Sequence, residues 1–278
     1  MKTHLELPAE LEPFRQEIES SEKPVIKITY ERKATDFWSS KFGGVPYLPK
    51  GYDFPKDSDG KYMHLLAQLN FEEIFAKVPY LAPFPKQGIL QFYIGDTDLY
   101  GMNLYNLDNQ KDFKVLYFSA SDKSNCQTNF CFLLNQEFEG DSPLYYKYVN
   151  NIQECLALQF NPDNEWVGRS DYQFKHFFEP AKIEKLSDLM RANNYKLEGW
   201  YHANIGNYQT KIGGYAYFTQ DDPRQESQQY KDHKVLLLQM MSDNHICWGD
   251  CGVGNFFIRA EDLENLDFSQ VIYNYDCH

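Results

Sequence analysis

Two stretches of the chain repeat one another in three blocks, in the same order, and nothing else in the sequence constrains the fold as much. Ser40-Lys-Phe-Gly-Gly-Val-Pro-Tyr-Leu48 aligns with Thr210-Lys-Ile-Gly-Gly-Tyr-Ala-Tyr-Phe218 at an offset of 170. Leu65-Leu-Ala-Gln-Leu69 aligns with Leu236-Leu-Leu-Gln-Met240 at an offset of 171. Gly88-Ile-Leu-Gln-Phe-Tyr-Ile94 aligns with Gly252-Val-Gly-Asn-Phe-Phe-Ile258 at an offset of 164. Internal repetition of this kind predicts a duplicated β unit of about 50–60 residues, the length of a few short strands. The units are expected over about 38–95 and 208–260, as two related halves of one domain spanning 1–278, joined by strands and a helix over 96–207.

The residue types suit that reading. Two adjacent glycines in a strand pattern mark a bulge, a sharp bend or a close backbone approach. The glutamine after each apolar run brings two donors and an acceptor, enough to tie down a sheet edge or the glycine turn. A polar loop follows in both copies, Pro49 to Lys61 and Thr219 to His233, a place for a binding face or for solvated hairpin tips. Outside the blocks, alternating aromatic-rich runs predict strands at 25–30, 113–118, 144–149 and 155–160, and again from Val271. Helical spacing marks the N-terminal 1–22, where Leu11, Phe14 and Ile18 share a face, and 183–194, while Glu72-Glu73 after Asn70 and Glu261-Asp262 before Leu263 suit the first turn of a helix. The fold class is therefore mainly β (α+β): roll-like sheets from an internally duplicated β unit, with a few peripheral helices.

Composition narrows the partners. Aromatics make up 17% of the 278 residues, so the chain can bury enough apolar surface to fold. With 27 Lys and Arg against 40 Asp and Glu, the net charge is −13, a field that repels phosphate and makes nucleic acid an unfavourable partner. Tyr145-Tyr146-Lys147-Tyr148 and the aromatics of 174–178 read as half-buried sheet faces in preference to base-stacking platforms. No apolar run approaches the length of a membrane span, and the N-terminus has no secretory h-region. Six cysteines are too few for a disulfide scaffold of this length, so a reduced, cytoplasmic protein is expected.

Phe42-Gly-Gly-Val-Pro-Tyr-Leu-Pro49, Leu65-Leu-Ala-Gln-Leu-Asn-Phe71, Pro85-Lys-Gln-Gly-Ile-Leu-Gln-Phe92 and Trp248-Gly-Asp-Cys-Gly-Val-Gly-Asn-Phe-Phe-Ile258 together resemble the YwqG-like family of uncharacterised bacterial proteins. The resemblance runs from about Trp38 to Cys277. It implies a roll-like β fold of two related halves and carries no established activity. Wider relatives that share the Gly-Gly-x-Pro and Gln-Leu blocks look like protein-binding chaperones, and bacterial members tend to be encoded near toxins, which implies an immunity role. The motif positions Gly43, Gly44, Gln68, Gly213, Gly214, Gln239, Trp248, Asp250 and Gly252 are the candidate binding residues.

No residue set specifies a reaction. Cys247, Cys251, His245 and the terminal Cys277-His278 have zinc-compatible chemistry but no second ligand pair at a metal-binding spacing. Cys251 as a nucleophile would sit among carboxylates, which raise a thiol pKa. Gly252-Val-Gly254 lacks the third glycine of a dinucleotide fingerprint and leads into a strand. No catalytic residue, metal or cofactor is therefore assigned. The expectation is a protein-binding module with a basic partner. The alternative is an enzyme of unknown reaction, with a cleft between the halves near Trp248 to Gly252. After Arg259 the chain carries five acidic and no Lys or Arg side chains, which places the partner-facing charge.

Overall fold

Ten strands hydrogen-bond into one antiparallel sheet that curls into a half-barrel. The structure, a computed structural model, describes residues 5–135, 142–144, 155–193 and 196–278. The strands are β1 (Lys23–Arg32), β2 (Lys41–Phe42), β3 (His64–Asn70), β4 (Ile89–Ile94), β5 (Phe113–Phe118), β6 (Leu156–Glu165), β7 (Lys211–Gly213), β8 (Val235–Met241), β9 (Val253–Ile258) and β10 (Ile272–Asp276). The helices are α1 (Arg15–Ser20), α2 (Phe71–Phe75), α3 (Phe174–Phe177), α4 (Pro180–Ala192), α5 (Lys196–Ile205) and α6 (Ala260–Glu264). A mainly β fold with few helices is what the patterning predicts. The strand expected over 144–149 lies almost wholly outside the described residues. Leu144 forms an isolated bridge to Ile246.

The sheet order is β10-β9-β8-β7-β1-β6-β2-β3-β4-β5. It reads as two five-strand sets, β1 to β5 and β6 to β10, each of which gives its first strand to the other. β1 borders β7 through Val25 to Lys27, and β6 borders β2 through Leu156 and Ala157. Equivalent bonds fix the correspondence: Ile28 N donates to Thr210 O at 2.8 Å, and Leu158 N donates to Ser40 O at 3.4 Å. Ile28 and Leu158 stand at an offset of 130, Ser40 and Thr210 at 170. Thr29 pairs with Gln159, also at 130, so the pseudo-twofold axis passes through that pair. The duplication thus takes in β5 and β6, which lie in the stretch read as a connection.

The register repeats as well. β3 carries a bulge between Leu65 and Ala67 against β4, and β8 carries one between Leu236 and Leu238 against β9, at the offset of the sequence blocks. β6 runs past Phe160 to Glu165, through Pro162. Beyond Leu158 no strand among the described residues borders its outer edge, where a residue without an N–H costs no ladder bond.

Curling brings the two ends of the sheet face to face. Phe92 of β4 lies 4.9 Å from Phe256 of β9, and Phe113 of β5 lies 5.4 Å from Tyr273 of β10, ring centre to ring centre. These rings fill the main core with Phe42, Leu66, Leu237 and Trp248. A second core lies under the helices, where Leu11, Phe14, Ile18, Leu186, Met190 and Tyr201 pack with Trp166 and Tyr215. The N-terminal face predicted from spacing is the buried one, although the segment begins as a 3-10 turn over Ala9–Phe14 before α1. α2 starts at a cap made by Asn70, whose side chain accepts from the N–H groups of Glu72 and Glu73.

Candidate functional site

The duplicated blocks build two copies of one buried frame. In the first, Gln68 Oε1 accepts from Tyr47 N and from Gln91 Nε2, both at 2.8 Å. Its Nε2 donates to Phe37 O at 2.7 Å and to Ser39 O at 2.8 Å. In the second, Gln239 Oε1 accepts from Tyr217 N at 2.7 Å, and its Nε2 donates to Asn207 O and Gln209 O, both at 2.8 Å. Each partner sits at the block offset of 170. The β4 position diverges. Gln91 Nε2 reaches both Tyr47 O and Gln68, whereas Asn255, one methylene shorter, donates only to Tyr217 O. Asn255 Oδ1 has no partner among the described residues.

Both frames also bury a lysine. Lys41 Nζ is caged by the carbonyls of Asp36 at 2.6 Å, Val45 at 3.1 Å and Phe37 at 3.3 Å. Burial with no contacting carboxylate brings its pKa down to about 8. Its counterpart Lys211 instead meets both oxygens of Glu165, at 2.8 and 2.7 Å. Burial lowers this lysine too, and Glu165 opposes the shift.

Around Glu165 the second half carries a charge network that has no counterpart in the first frame among the described residues. Asp171 accepts from Ala216 N at 2.8 Å and Asp222 accepts from Tyr172 N at 2.9 Å. Arg224 bridges the two carboxylates, at 3.2 Å to Asp171 and 2.7 Å to Asp222, with its guanidinium 3.8 Å from the centre of the Phe257 ring. The loop Thr219 to His233 is therefore pinned into the core by Asp222, Arg224, Tyr230 and His233, all buried, and is no solvated hairpin tip.

These contacts locate the candidate binding residues. Gln68 and Gln239 are wholly buried, with their amides spent on backbone. Gly43, Gly44, Gly213 and Gly214 all have left-handed φ. A Cβ on Gly214 would collide with Glu165 Oε1, so the glycine is required by the ion pair beneath it. Trp248 is fully buried, edge-on to Tyr100 at 5.5 Å and stacked on Tyr275 at 5.9 Å, and a Cβ on Gly254 would run into its indole. Gly252 N closes the turn on Trp248 O at 2.8 Å. Asp250 is the exposed member of the set, and its carbonyl accepts from His278 N at 3.1 Å. Most of these side chains reach a ligand only through the loops they hold in place. Cys247, Cys251 and Cys277 are free thiols. Among the described residues no three His, Cys, Asp or Glu side chains gather as a metal site.

A cleft does lie between the halves, away from Trp248 and Asp250. It holds about 250 Å³, with Leu81 to Phe84 from the first half, Gly213, Gly214 and Lys234 to Leu236 from the second, and Lys23 and Pro24 of the exchanged strand β1. A second cleft, of about 310 Å³, is lined by Arg169, Glu198, Tyr201, His202 and Tyr217 beside α5. A third, of about 630 Å³, opens on the first long loop between Tyr52, Asp53, Lys56, Tyr62 and Phe132. Sequence reasoning missed Lys23, Glu165, Asp171 and Arg224. They are single charged residues scattered over about 200 positions, and only the fold brings them together.

The fold and the paired frames define a duplicated antiparallel β protein whose halves exchange their first strands. The family model of a domain of unknown function, DUF1963, matches residues 40–277, and the chain belongs to that family. The matched range begins after β1, so it leaves out a strand that stands at the centre of the sheet. No curated protein matches the chain. No helix among the described residues is long and apolar enough to cross a membrane.

Proposed function

We propose that the chain is a protein-binding module of YwqG-like type, chaperone-like or immunity-type, that grips a basic segment of its partner. One observation carries the reading: Tyr105 is 97% exposed beside Leu104 at 62%, on a loop that is braced from both sides. Asn103 Oδ1 accepts from the N–H groups of Tyr105 and Asn106 at 3.0 and 2.9 Å. Leu107 N donates to Tyr230 OH at 3.1 Å, and Leu107 O accepts from Tyr273 N at 3.0 Å. An aromatic held out on a fixed backbone loses little entropy on binding and makes an efficient anchor.

The surroundings supply charge. Asp98 and Asp108 stand on either side of the anchor in sequence, and Gln229 donates to Asp108 at 3.3 Å, which brings in a loop that carries Glu226, Lys231 and Asp232. Glu261, Glu264 and Asp267 stand exposed on and after α6, next in line beyond Arg259. The other two carboxylates of that tail are committed: Asp262 pairs with Arg259 at 2.6 Å, and Asp276 is buried and accepts from Gln220 N. Exposed carboxylates on the same chain as an apolar anchor favour a basic partner through steering and charge complementarity. The test is a capture experiment. The full chain and its Leu104→Ser/Tyr105→Ser variant are compared at low salt and again at about 0.5 M salt, where surface charge is screened. The expected result is a partner retained by the native chain at low salt, lost at high salt and lost in the variant. Equal retention by both chains overturns the reading.

A further inference from the structure

The cleft at the seam between the halves is untouched by the docking surface, and its lining has a definite chemistry. Its charged groups are the ammoniums of Lys23 and Lys234; no carboxylate lines it among the described residues. Leu81, Pro83, Phe84 and Leu236 make the rest of the wall apolar. Lys23 is half-buried, with its Nζ 4.5 Å from the centre of the Tyr215 ring. Burial holds that ammonium below the ordinary lysine range, with Asp171 pulling it back and Lys234 adding to the fall. The carboxylates behind it are already spent: Asp171 on Arg224 and Ala216 N, Glu165 on Lys211 and Tyr215 N. Lys234 keeps a distant, exposed partner in Asp232 at 3.9 Å.

The equivalent places in the first half carry different side chains. Met63, at the offset of 171 from Lys234, is buried, and Gly43 is roofed by Leu144, whose Cδ1 would lie 3.3 Å from a Cβ there. The two copies share their frame and differ in the side chain beside it: a buried methionine, Met63, in the first and a lysine, Lys234, in the second.

We propose that this seam cleft binds a small apolar monocarboxylate, its carboxylate between Lys23 and Lys234 and its tail against Leu81, Pro83, Phe84 and Leu236. A carboxylate supplies the charge-assisted bonds that Lys23 lacks, and the apolar wall selects for an alkyl or aryl tail. The cleft, about 250 Å³ and open to solvent on one side, has room for a short-chain carboxylate such as hexanoate. The net charge of −13 disfavours polyanions at long range, so a single carboxylate is the form that fits.

The test is calorimetric titration of the full chain with hexanoate and with hexanamide, its neutral counterpart of the same shape. Saturable one-site binding is expected for hexanoate, with hexanamide at least about tenfold weaker. Lys23→Met, which keeps the stem and removes the charge, should weaken hexanoate by about tenfold, and Lys234→Met by roughly threefold. Because Lys23→Met also touches the folded core, the native chain is treated in parallel with a limiting acylating reagent. Hexanoate, and not hexanamide, should slow modification of Lys23 relative to exposed Lys33. Equal affinity for the amide, no protection of Lys23, or no saturable binding of hexanoate up to about 10 mM overturns the proposal.

Discussion

The two frames make the same backbone-directed bonds and answer a buried lysine in different ways. Gln68 and Gln239 each accept from a tyrosine N–H and donate to two carbonyls, in the same geometry and at one offset. Lys41 is met by carbonyl dipoles, Lys211 by a full carboxylate. The difference teaches which part of the design is fixed by geometry. A glutamine that closes a glycine turn must reach set backbone atoms, so it persists in both copies. A buried ammonium needs only enough negative potential, and dipoles or an anion serve. Around the carboxylate of Glu165 lies the wider network of Asp171, Asp222 and Arg224, with the seam cleft beside it.

The largest test of that contrast removes each lysine in turn. Lys211→Met leaves Glu165 buried without its counter-ion and should cost about 3–5 kcal/mol by urea unfolding. Lys41→Met leaves neutral carbonyls and should cost about 1–3 kcal/mol. Equal losses would mean that the two cages are energetically alike. Next come the glutamines. Gln68→Ala should destabilise more than Gln239→Ala, each by roughly 1–3 kcal/mol, because Gln91 Nε2 also loses an acceptor in the first frame.

A smaller effect lies in pH. Below about pH 8 the Lys41 ammonium is present in both folded and unfolded chains, and its burial cost is carried in full. Above pH 8 the folded chain sheds that proton first, while the unfolded lysine holds its own to near 10.5. The contribution of Lys41 to stability therefore rises with pH across that window. The native chain should gain on Lys41→Met by up to about 1.4 kcal/mol per pH unit between pH 8 and 10, read from paired unfolding curves. A flat difference would place a charge near Lys41 that these contacts do not include. The smallest effect is on the surface: Tyr105→Ser should shift stability by no more than about 0.5 kcal/mol, whatever it does to binding.

Much of the sheet was legible because its punctuation is local. Asn70 before Glu72-Glu73 marks the start of α2, and the alternation of 113–118 is β5 residue for residue. The exchange of β1 and β6 was hidden. Both strands alternate, but they share no glycine or glutamine block that would align them, and the neighbours of a strand are a property of the whole sheet. α5 was missed because Lys196 to Ile205 holds Gly199, Trp200, Tyr201 and His202, none of them a strong helix former. It is held by Leu197, Tyr201 and Ile205 in the second core, a tertiary gain that local propensity does not report. The acidic tail was legible as composition only. The fold decides that Asp262 and Asp276 are spent inside while Glu261, Glu264 and Asp267 face outward. The seam cleft draws on four separate segments, which no spacing rule connects.

A buried, duplicated scaffold carries an exposed anchor on a braced loop. Amide hydrogen exchange of the full chain, free and with a partner captured at low salt, tests that division of roles directly. Binding should slow exchange across residues 98–109 and 226–232 and leave the already protected frames around Gln68 and Gln239 unchanged. Protection centred on 210–218 or 248–252, with none at Tyr105, would contradict it.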